Sequence, residues 1–326
     1  MQLLVTGITG KVGQNFLPRF LAEPRFAGWQ VVALCNNRTI PETDRVKVLR
    51  GSMNDPATIA QAMAGTTHVL HMAAVKEDPV HAMDVAIKGL FLLLEAFRAK
   101  SDGKQFMLIG GDCSVGHCFV EHDGPVTEES PRRGYPGVYA TTKILEEVML
   151  EQAGIQYGVN WSTLRAPWIM EKDDFKFALS FGADQFGGPN WDTLISPALR
   201  KQYADSNAVP VLIAGDGWPL KRNFVHVDDL VEAIIVALDN PAANQQLFNI
   251  AMTEPVDYAA LGAHLEKTRS MKPVRIETPY VSNLLDNAKA RLRLGWTPKV
   301  DLTALIDRAF SYERAAGDER KIWYPG

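Results

Sequence analysis

The clearest capacity for acid–base chemistry in this chain lies in Tyr139-Ala-Thr-Thr-Lys143, a phenol and an ammonium four residues apart. On a helix, residues at this spacing project from one face, about one turn from each other. A free phenol titrates near about 10, and an adjacent cation favours the phenolate and lowers that value. Such a pair can give or take a hydroxyl proton while a hydride leaves or reaches the same carbon. The spacing also arises by chance on solvated helix faces, so its meaning rests on its context.

The first thirteen residues supply that context. Leu3, Leu4 and Val5 form a short apolar run, as a strand buried on both faces would. It leads into Thr6-Gly7, and glycines recur at Gly10 and Gly13. From Lys11 onward the pattern turns helical, with Val12, Phe16 and Phe20 at a spacing of four. Strand, glycine-rich turn and helix point helix N-terminal amides at a diphosphate. Gly7 can make the tight turn, Gly10 lets a phosphate approach the backbone, and Gly13 lets the helix pack on the sheet. Alone, these residues also suit a bare strand–helix turn. Combined with the Tyr139/Lys143 pair, they imply a nicotinamide dinucleotide as the hydride partner.

The elements that must position these residues follow from periodicity. Residues 30–35, 46–49, 68–74, 106–109 and 161–166 read as strands. Residues 56–64, 83–99 and 138–153 read as helices, with Asp55 as N-cap before Pro56. That alternation predicts a parallel sheet covered on both sides. Residues 171–220 change character, being rich in Phe, Trp, Gly, Asp and Pro with weak periodicity, as a substrate-shaping region would be. Helical patterns return at 227–238, 258–267 and 302–315, with Asp228 and Asp229 in the N-cap region of the first.

Composition narrows the function classes. A chain of 326 residues makes one large or two smaller domains. A formal net charge of -4, with no Lys/Arg cluster, gives no basic field for nucleic acid. Cys35, Cys113 and Cys118 form no C-x-x-C pair and lack the His spacing of a zinc site, so no metal is expected. Three unpaired cysteines suit a reducing compartment. The first strand begins at Gln2, leaving no room for a signal peptide, and the apolar run 90–94 is closed by Glu95, too short to span a bilayer. The expectation is a cytoplasmic protein with a small-molecule substrate, no nucleic-acid or membrane partner, and a homodimer as the admitted assembly.

The ordered motifs resemble those of the extended short-chain dehydrogenase/reductase family, the group that includes nucleotide-sugar epimerases and dehydratases. Thr6–Gly13 is similar to the family's T-G-x-x-G-x-x-G loop, and HVLHMAAV (68–75) to its strand-four motif. Pro125–Pro131 and Tyr139–Lys143, followed by Glu147, resemble the segment leading into the catalytic helix. LRAP (164–167), KRNFVHVDDLVEAI (221–234) and LGWTP (294–298) complete the match, which runs nearly end to end. The resemblance implies an α/β, doubly wound parallel (Rossmann) sheet over residues 1–165. A smaller, mainly substrate-binding lobe over 166–326 returns some segments to the sheet. It implies Tyr139 as acid/base and Lys143 as the group that lowers its pKa and holds the nicotinamide ribose. Lys11, Val12, Ala73, Ala74, Lys76 and Pro167 then belong to the cofactor's surroundings, and Arg222 and Trp168 to the substrate's.

Two departures from that pattern matter. Where the family carries Ser or Thr after Ile109 there is Gly110-Gly111, followed by Asp112 and Cys113. Asp112 matches the Asp of the dehydratases' Thr-Asp-Glu. Cys113 stands where the GDP-mannose 3,5-epimerases place a catalytic Cys. It reads either as a thiol acid/base or as a small buried residue behaving as an apolar one; the second is the expectation. The other departure lies after the second strand. Cys35-Asn36-Asn37-Arg38 offers no carboxylate for the adenosine ribose, Arg38 can bind a 2'-phosphate, and Ser52 with Met53 replaces the usual Asp beside the adenine. NADP is expected in preference to NAD. Trp168, Phe175, Phe181, Phe186 and Trp191 form either an aromatic substrate wall or core. A non-catalytic, dinucleotide-binding sensor is the alternative of a different class, and the retained Tyr139 and Lys143 argue against it.

Overall fold

Seven short apolar runs pair into one parallel sheet in the computed structural model, which describes residues 1–318. The strands are β1 (Gln2–Thr6), β2 (Gln30–Cys35), β3 (Val46–Arg50), β4 (His68–His71), β5 (Gln105–Gly111), β6 (Trp161–Ala166) and β7 (Gln246–Asn249). Their spatial order is β3-β2-β1-β4-β5-β6-β7, every pair parallel. The direction of winding reverses between β1 and β4, and in open α/β sheets the ligand crevice opens at that switch, beyond the carboxyl ends of the strands.

Both faces are covered, which is why the strands are apolar runs without alternation. Helix α1 (Lys11–Ala22) and a later helix, Val227–Ala237, pack on one face through Phe16, Phe20, Leu230 and Ile234. On the other face Ile59 of α2 (Pro56–Met63), Leu94 and Phe97 of α3 (Leu90–Arg98) and Leu150 of α4 (Val138–Tyr157) bury against β4 and β5. Asp55 caps α2 as expected, accepting from Ala57 N and Thr58 N at 3.1 Å each. A separate apolar cluster, including Phe175, Phe181, Trp191, Val209, Phe224 and Leu261, gathers around the parallel pair Ala208–Ile213 and Lys272–Glu277. No helix of the described residues is long and apolar enough to cross a membrane.

Several element boundaries differ from expectation. The helix expected over 83–99 is a π-helical segment (Met83–Gly89) followed by α3, and an α turn (Pro79–Ala82) precedes it. The apolar period does not distinguish a wider turn from an α-helical one. The strand expected to reach 74 stops at His71, where the chain leaves the sheet to pass the glycine turn after β1. Helix α4 runs on to Tyr157 and ends at left-handed Gly158, while the helix expected to reach 315 ends at Ser311. The cap of the helix Val227–Ala237 is His226, whose Nδ1 accepts from Asp228 N at 3.2 Å. Asp229 instead accepts from Lys299 N and Val300 N, tying the helix start to a distant loop.

Candidate active site

A cleft of about 1290 Å³ opens beyond the carboxyl ends of β1, β4, β5 and β6. That exceeds an ordinary small-ligand pocket of roughly 300–1,000 Å³ and suits a dinucleotide together with a second molecule. Gly7 sits at its floor with φ +71°, and a Cβ there would lie 2.5 Å from Ala73 N, so the two loops touch only because residue 7 is glycine. Gly10 N donates to Gly7 O at 3.0 Å and starts α1 without a side-chain cap. The first-turn amides of α1 therefore face the cradle, the arrangement that suits a diphosphate. Gly13 has a second close neighbour. A Cβ there would meet the Ile8 carbonyl oxygen at 2.3 Å, so this glycine also seats the loop on the helix.

The cleft brings together nearly all the residues singled out from the sequence. Lys11 and Val12 border the cradle; Asn36, Arg38, Ser52 and Met53 lie at the β2 and β3 end; Ala73, Ala74, Lys76 and Pro167 line the opposite end. Gly13 lies outside it, buried under the loop. The Lys11 ammonium is bonded to Asp174 at 2.5 Å and to Ile169 O at 3.0 Å, so it clamps the loop to the segment after β6.

Tyr139 stands at the first turn of α4 with Lys143 one turn on, as their spacing requires. The Lys143 ammonium is buried, donating to Ile109 O at 3.0 Å and to Glu146 at 2.7 Å, and lies 5.8 Å from the centre of the Tyr139 ring. The expected lowering of the phenol is not what this geometry produces. Burial pushes Tyr139 well above the ordinary tyrosine value, and Cys113, Glu146, Tyr135 and Asp112 push in the same direction. The buried Glu146 carboxylate sets a negative charge beside the positive one of Lys143. A second ammonium, Lys76, lies 5.0 Å from the same ring, and burial draws it down to about 8.

The break in the family pattern has a spatial counterpart. Gly111 is extended (φ -141°, ψ 146°), a conformation open to any residue. A Cβ on it would lie 2.9 Å from Cys113 Sγ and 3.8 Å from the Tyr139 hydroxyl. The sulfur thus takes the room that a residue 111 side chain would occupy. Burial pushes the Cys113 thiol far up, with Asp112 adding to it, so it stays protonated. Ser114, one residue on, shares its hydroxyl between Gly111 O and Glu147, each at 2.9 Å. Glu147 is fully buried and also accepts from Arg132 and doubly from Arg165, locking α4 to β6.

Asp112 does not face the cleft alone. Its carboxylate accepts from His117 Nδ1 at 2.5 Å, while Arg222 Nε and Nη2 approach His117 Nε2 at 3.1 and 2.8 Å. Burial pulls His117 down, but the Asp112 carboxylate outweighs it and holds the imidazole up to about 9. Burial likewise raises neighbouring Cys118, and the charges of His117 and Arg222 outweigh it, leaving the thiol lowered. No sequence signal marks His117 beyond its place five residues after Asp112, nor Glu146 beyond its i+3 spacing from Lys143. Of the aromatics after β6, Phe175, Phe181 and Trp191 are core, Phe186 belongs to the same core but shows one side to the cleft, and Trp168 lines the cleft. Trp168 stacks with Phe186 and with Phe224 and carries the Arg222 guanidinium 4.3 Å from its ring centre. Among the described residues, no group of three or more His, Cys, Asp or Glu could hold a metal ion.

Comparison with known proteins places the chain. A UDP-glucose 4-epimerase of Lacticaseibacillus casei is 26% identical, with 96% of each chain covered. The structure of a short-chain dehydrogenase/reductase superfamily protein from Agrobacterium tumefaciens with bound NAD has a TM-score of 0.77 at 21% identity, covering 95% of this chain and 96% of its own. That of a UDP-glucose 4-epimerase from Thermotoga maritima with UDP-glucose has a TM-score of 0.71 at 20% identity, covering 96% and 98%. The model of one family, NAD dependent epimerase/dehydratase, matches residues 3–251, a stretch that runs from β1 through β7. The chain belongs to the NAD dependent epimerase/dehydratase family.

Proposed function

We propose that this chain is an NAD(P)-dependent oxidoreductase or epimerase acting on a hydroxyl- or carbonyl-bearing carbon of a sugar-like substrate, with Tyr139 as its acid–base group. The observation that carries the reading is the convergence of the buried Tyr139 phenol and the Gly7 cradle on one cleft. The dinucleotide, when bound, supplies or accepts the hydride. Gly7, Gly10 and the α1 amides hold its diphosphate, and Lys143 and Lys76 stand at the nicotinamide end, where they can reach a ribose. Tyr139, protonated at neutral pH, is set to donate to a carbonyl oxygen and to recover that proton when the carbinol is oxidised. Trp168 and Arg222 form the far wall against the substrate. The alternative that makes Asp112 and Cys113 the acid–base pair has less support: both line the cleft, but Asp112 is engaged by His117 and burial raises the thiol.

For the cofactor we propose NADP in preference to NAD, since the β2 end offers Asn36, Asn37 and Arg38 and no carboxylate to repel a 2'-phosphate. The test of the function is a screen of nucleotide sugars, free sugars, sugar acids and polyols with either cofactor, following both nicotinamide absorbance and product stereochemistry by NMR. Net absorbance change marks a dehydrogenase or reductase; inverted product without it marks an epimerase. Tyr139→Phe should lower turnover roughly 10²–10⁴-fold, and turnover surviving that substitution would sink the mechanism.

A further inference from the structure

We propose that His117 is a positioning residue whose proton state sets Arg222 either against His117 or toward an oxyanion of the substrate, so that oxyanion binding takes up a proton. The inference rests on the reading of the cleft as a sugar-substrate site and adds to it the control of one of its walls.

The geometry carries the argument. Arg222 aims two donors, Nε and Nη2, at the single nitrogen Nε2 of His117, at 3.1 and 2.8 Å. That contact needs a bare lone pair on Nε2. Asp112 takes the other ring nitrogen at 2.5 Å and so fixes the tautomer that exposes it. A second proton on Nε2 abolishes the acceptor, makes the imidazole a donor, and places an imidazolium beside a guanidinium. Two cations sharing one wall then repel unless an anion lies between them. All three side chains line the cleft, and Arg222 lies over the Trp168 ring, a flat face along which a guanidinium can shift. Asp112 favours the added proton and keeps its cost small.

The remaining titratable groups around His117 are few. Cys118 follows it in the chain, Tyr280 comes from the loop after Lys272–Glu277, and Tyr258 lies against Arg222 at the start of Tyr258–Arg269. Burial raises both phenols, so neither supplies the proton at neutral pH. Above about pH 9, where the ring is neutral, solvent gives one proton to Nε2 as the oxyanion, held by Arg222 and His117 together, brings the compensating charge; below it the proton is already in place and binding takes up none. The oxyanion is a phosphate of a nucleotide or a carboxylate of a sugar acid.

Calorimetry with UDP and with D-glucuronate, each added to protein saturated with dinucleotide, separates the two. Titrations between about pH 7 and 10, in two buffers of different ionisation enthalpy, count protons bound with the ligand. For at least one probe the affinity should fall toward tenfold per pH unit at the alkaline end, with proton uptake approaching one. UDP responding alone assigns a phosphate, glucuronate alone a carboxylate. His117→Gln should flatten the slope and remove the uptake, Asp112→Asn should move the break to lower pH, and His81→Gln, at an exposed histidine outside the cleft, should leave the slope in place. An unchanged slope in His117→Gln overturns the proposal, as does the absence of proton-linked binding for both probes. Turnover that depends on Tyr139 together with pH-independent probe binding would overturn this inference alone. Proton-linked binding in a protein indifferent to Tyr139→Phe would overturn the function and keep the coupling.

Discussion

Placing a serine at position 111 puts the missing hydroxyl back and asks what Cys113 is for. The backbone at Gly111 is extended, so a side chain brings no conformational strain. The obstacle is space, since the new Cβ lies 2.9 Å from Cys113 Sγ. Gly111→Ser alone therefore overpacks a buried turn and should cost about 1–3 kcal/mol, a fall in Tm of roughly 1–5 °C for a chain of this length. Cys113→Ala alone removes one methylene-sized group and should cost about 1 kcal/mol. Combined, the two relieve each other, so the double variant should be more stable than the sum by at least about 0.5 kcal/mol. With the sulfur gone, the introduced hydroxyl hangs from a Cβ 3.8 Å from the Tyr139 hydroxyl and can donate to the same reacting oxygen. Removing such a donor typically costs about 10²–10³-fold in kcat, so a gain of about tenfold over Cys113→Ala is a conservative expectation. The assay is a thermal melt on all four proteins beside kcat on the substrate found in the screen. Additive losses of stability and no gain in kcat would refute the claim that Sγ occupies the serine's place. A hundredfold loss in Cys113→Ala alone would instead make the thiol a reacting group.

Three other outcomes follow from the structure. His71 is fully buried, bonded to Thr6 Oγ1 at 2.8 Å, and burial lowers it from 6.5 to about 3. Between those values the unfolded chain binds a proton that the folded one refuses, so stability falls as pH falls from 6.5 toward 3, by up to about 1.4 kcal/mol per unit. Urea titrations across that range should show a shallower acid limb for His71→Gln, and an identical limb would count against the assignment. Arg165→Met, which leaves the buried Glu147 with only part of its partners, should lose about 3–5 kcal/mol by denaturant unfolding; a loss under about 1 kcal/mol would show that Arg132 alone suffices. Arg38→Ala should weaken NADP binding about tenfold while leaving NAD unchanged, as read from dissociation constants, and a wild-type preference for NAD would overturn the cofactor proposal.

The parts of this fold that the sequence announces are those set by local pattern. Residues 2–6 and 30–35 read as buried strands because nothing polar interrupts them, and Asp55-Pro56 marks a helix start through its own chemistry. Tyr139 and Lys143 were legible because their spacing and their helix carry the same information. What stayed hidden depends on partners far along the chain. His117 gains its meaning from Arg222, 105 residues away, and the Tyr139 phenol is raised by a burial that no helical period reports. The role of Cys113 needed a distance to a glycine two residues back, which a linear pattern does not contain. The aromatic residues after β6 divided between core and cleft for the same reason, since composition alone does not orient a ring.

The last strand to join the sheet has a consequence for how the chain can be divided. β7 comes from Gln246–Asn249, yet it pairs in parallel with β6, and Asn249 Oδ1 accepts from the buried Arg165 at 3.3 Å. A fragment ending near residue 166 would leave one side of β6 as a raw, wholly buried-type edge, with a guanidinium missing a neighbour and apolar Leu164 uncovered. Such an edge recruits foreign strands. The N-terminal portion is thus not a detachable dinucleotide module. Grafting it onto another C-terminal portion would require the new portion to bring its own closing strand.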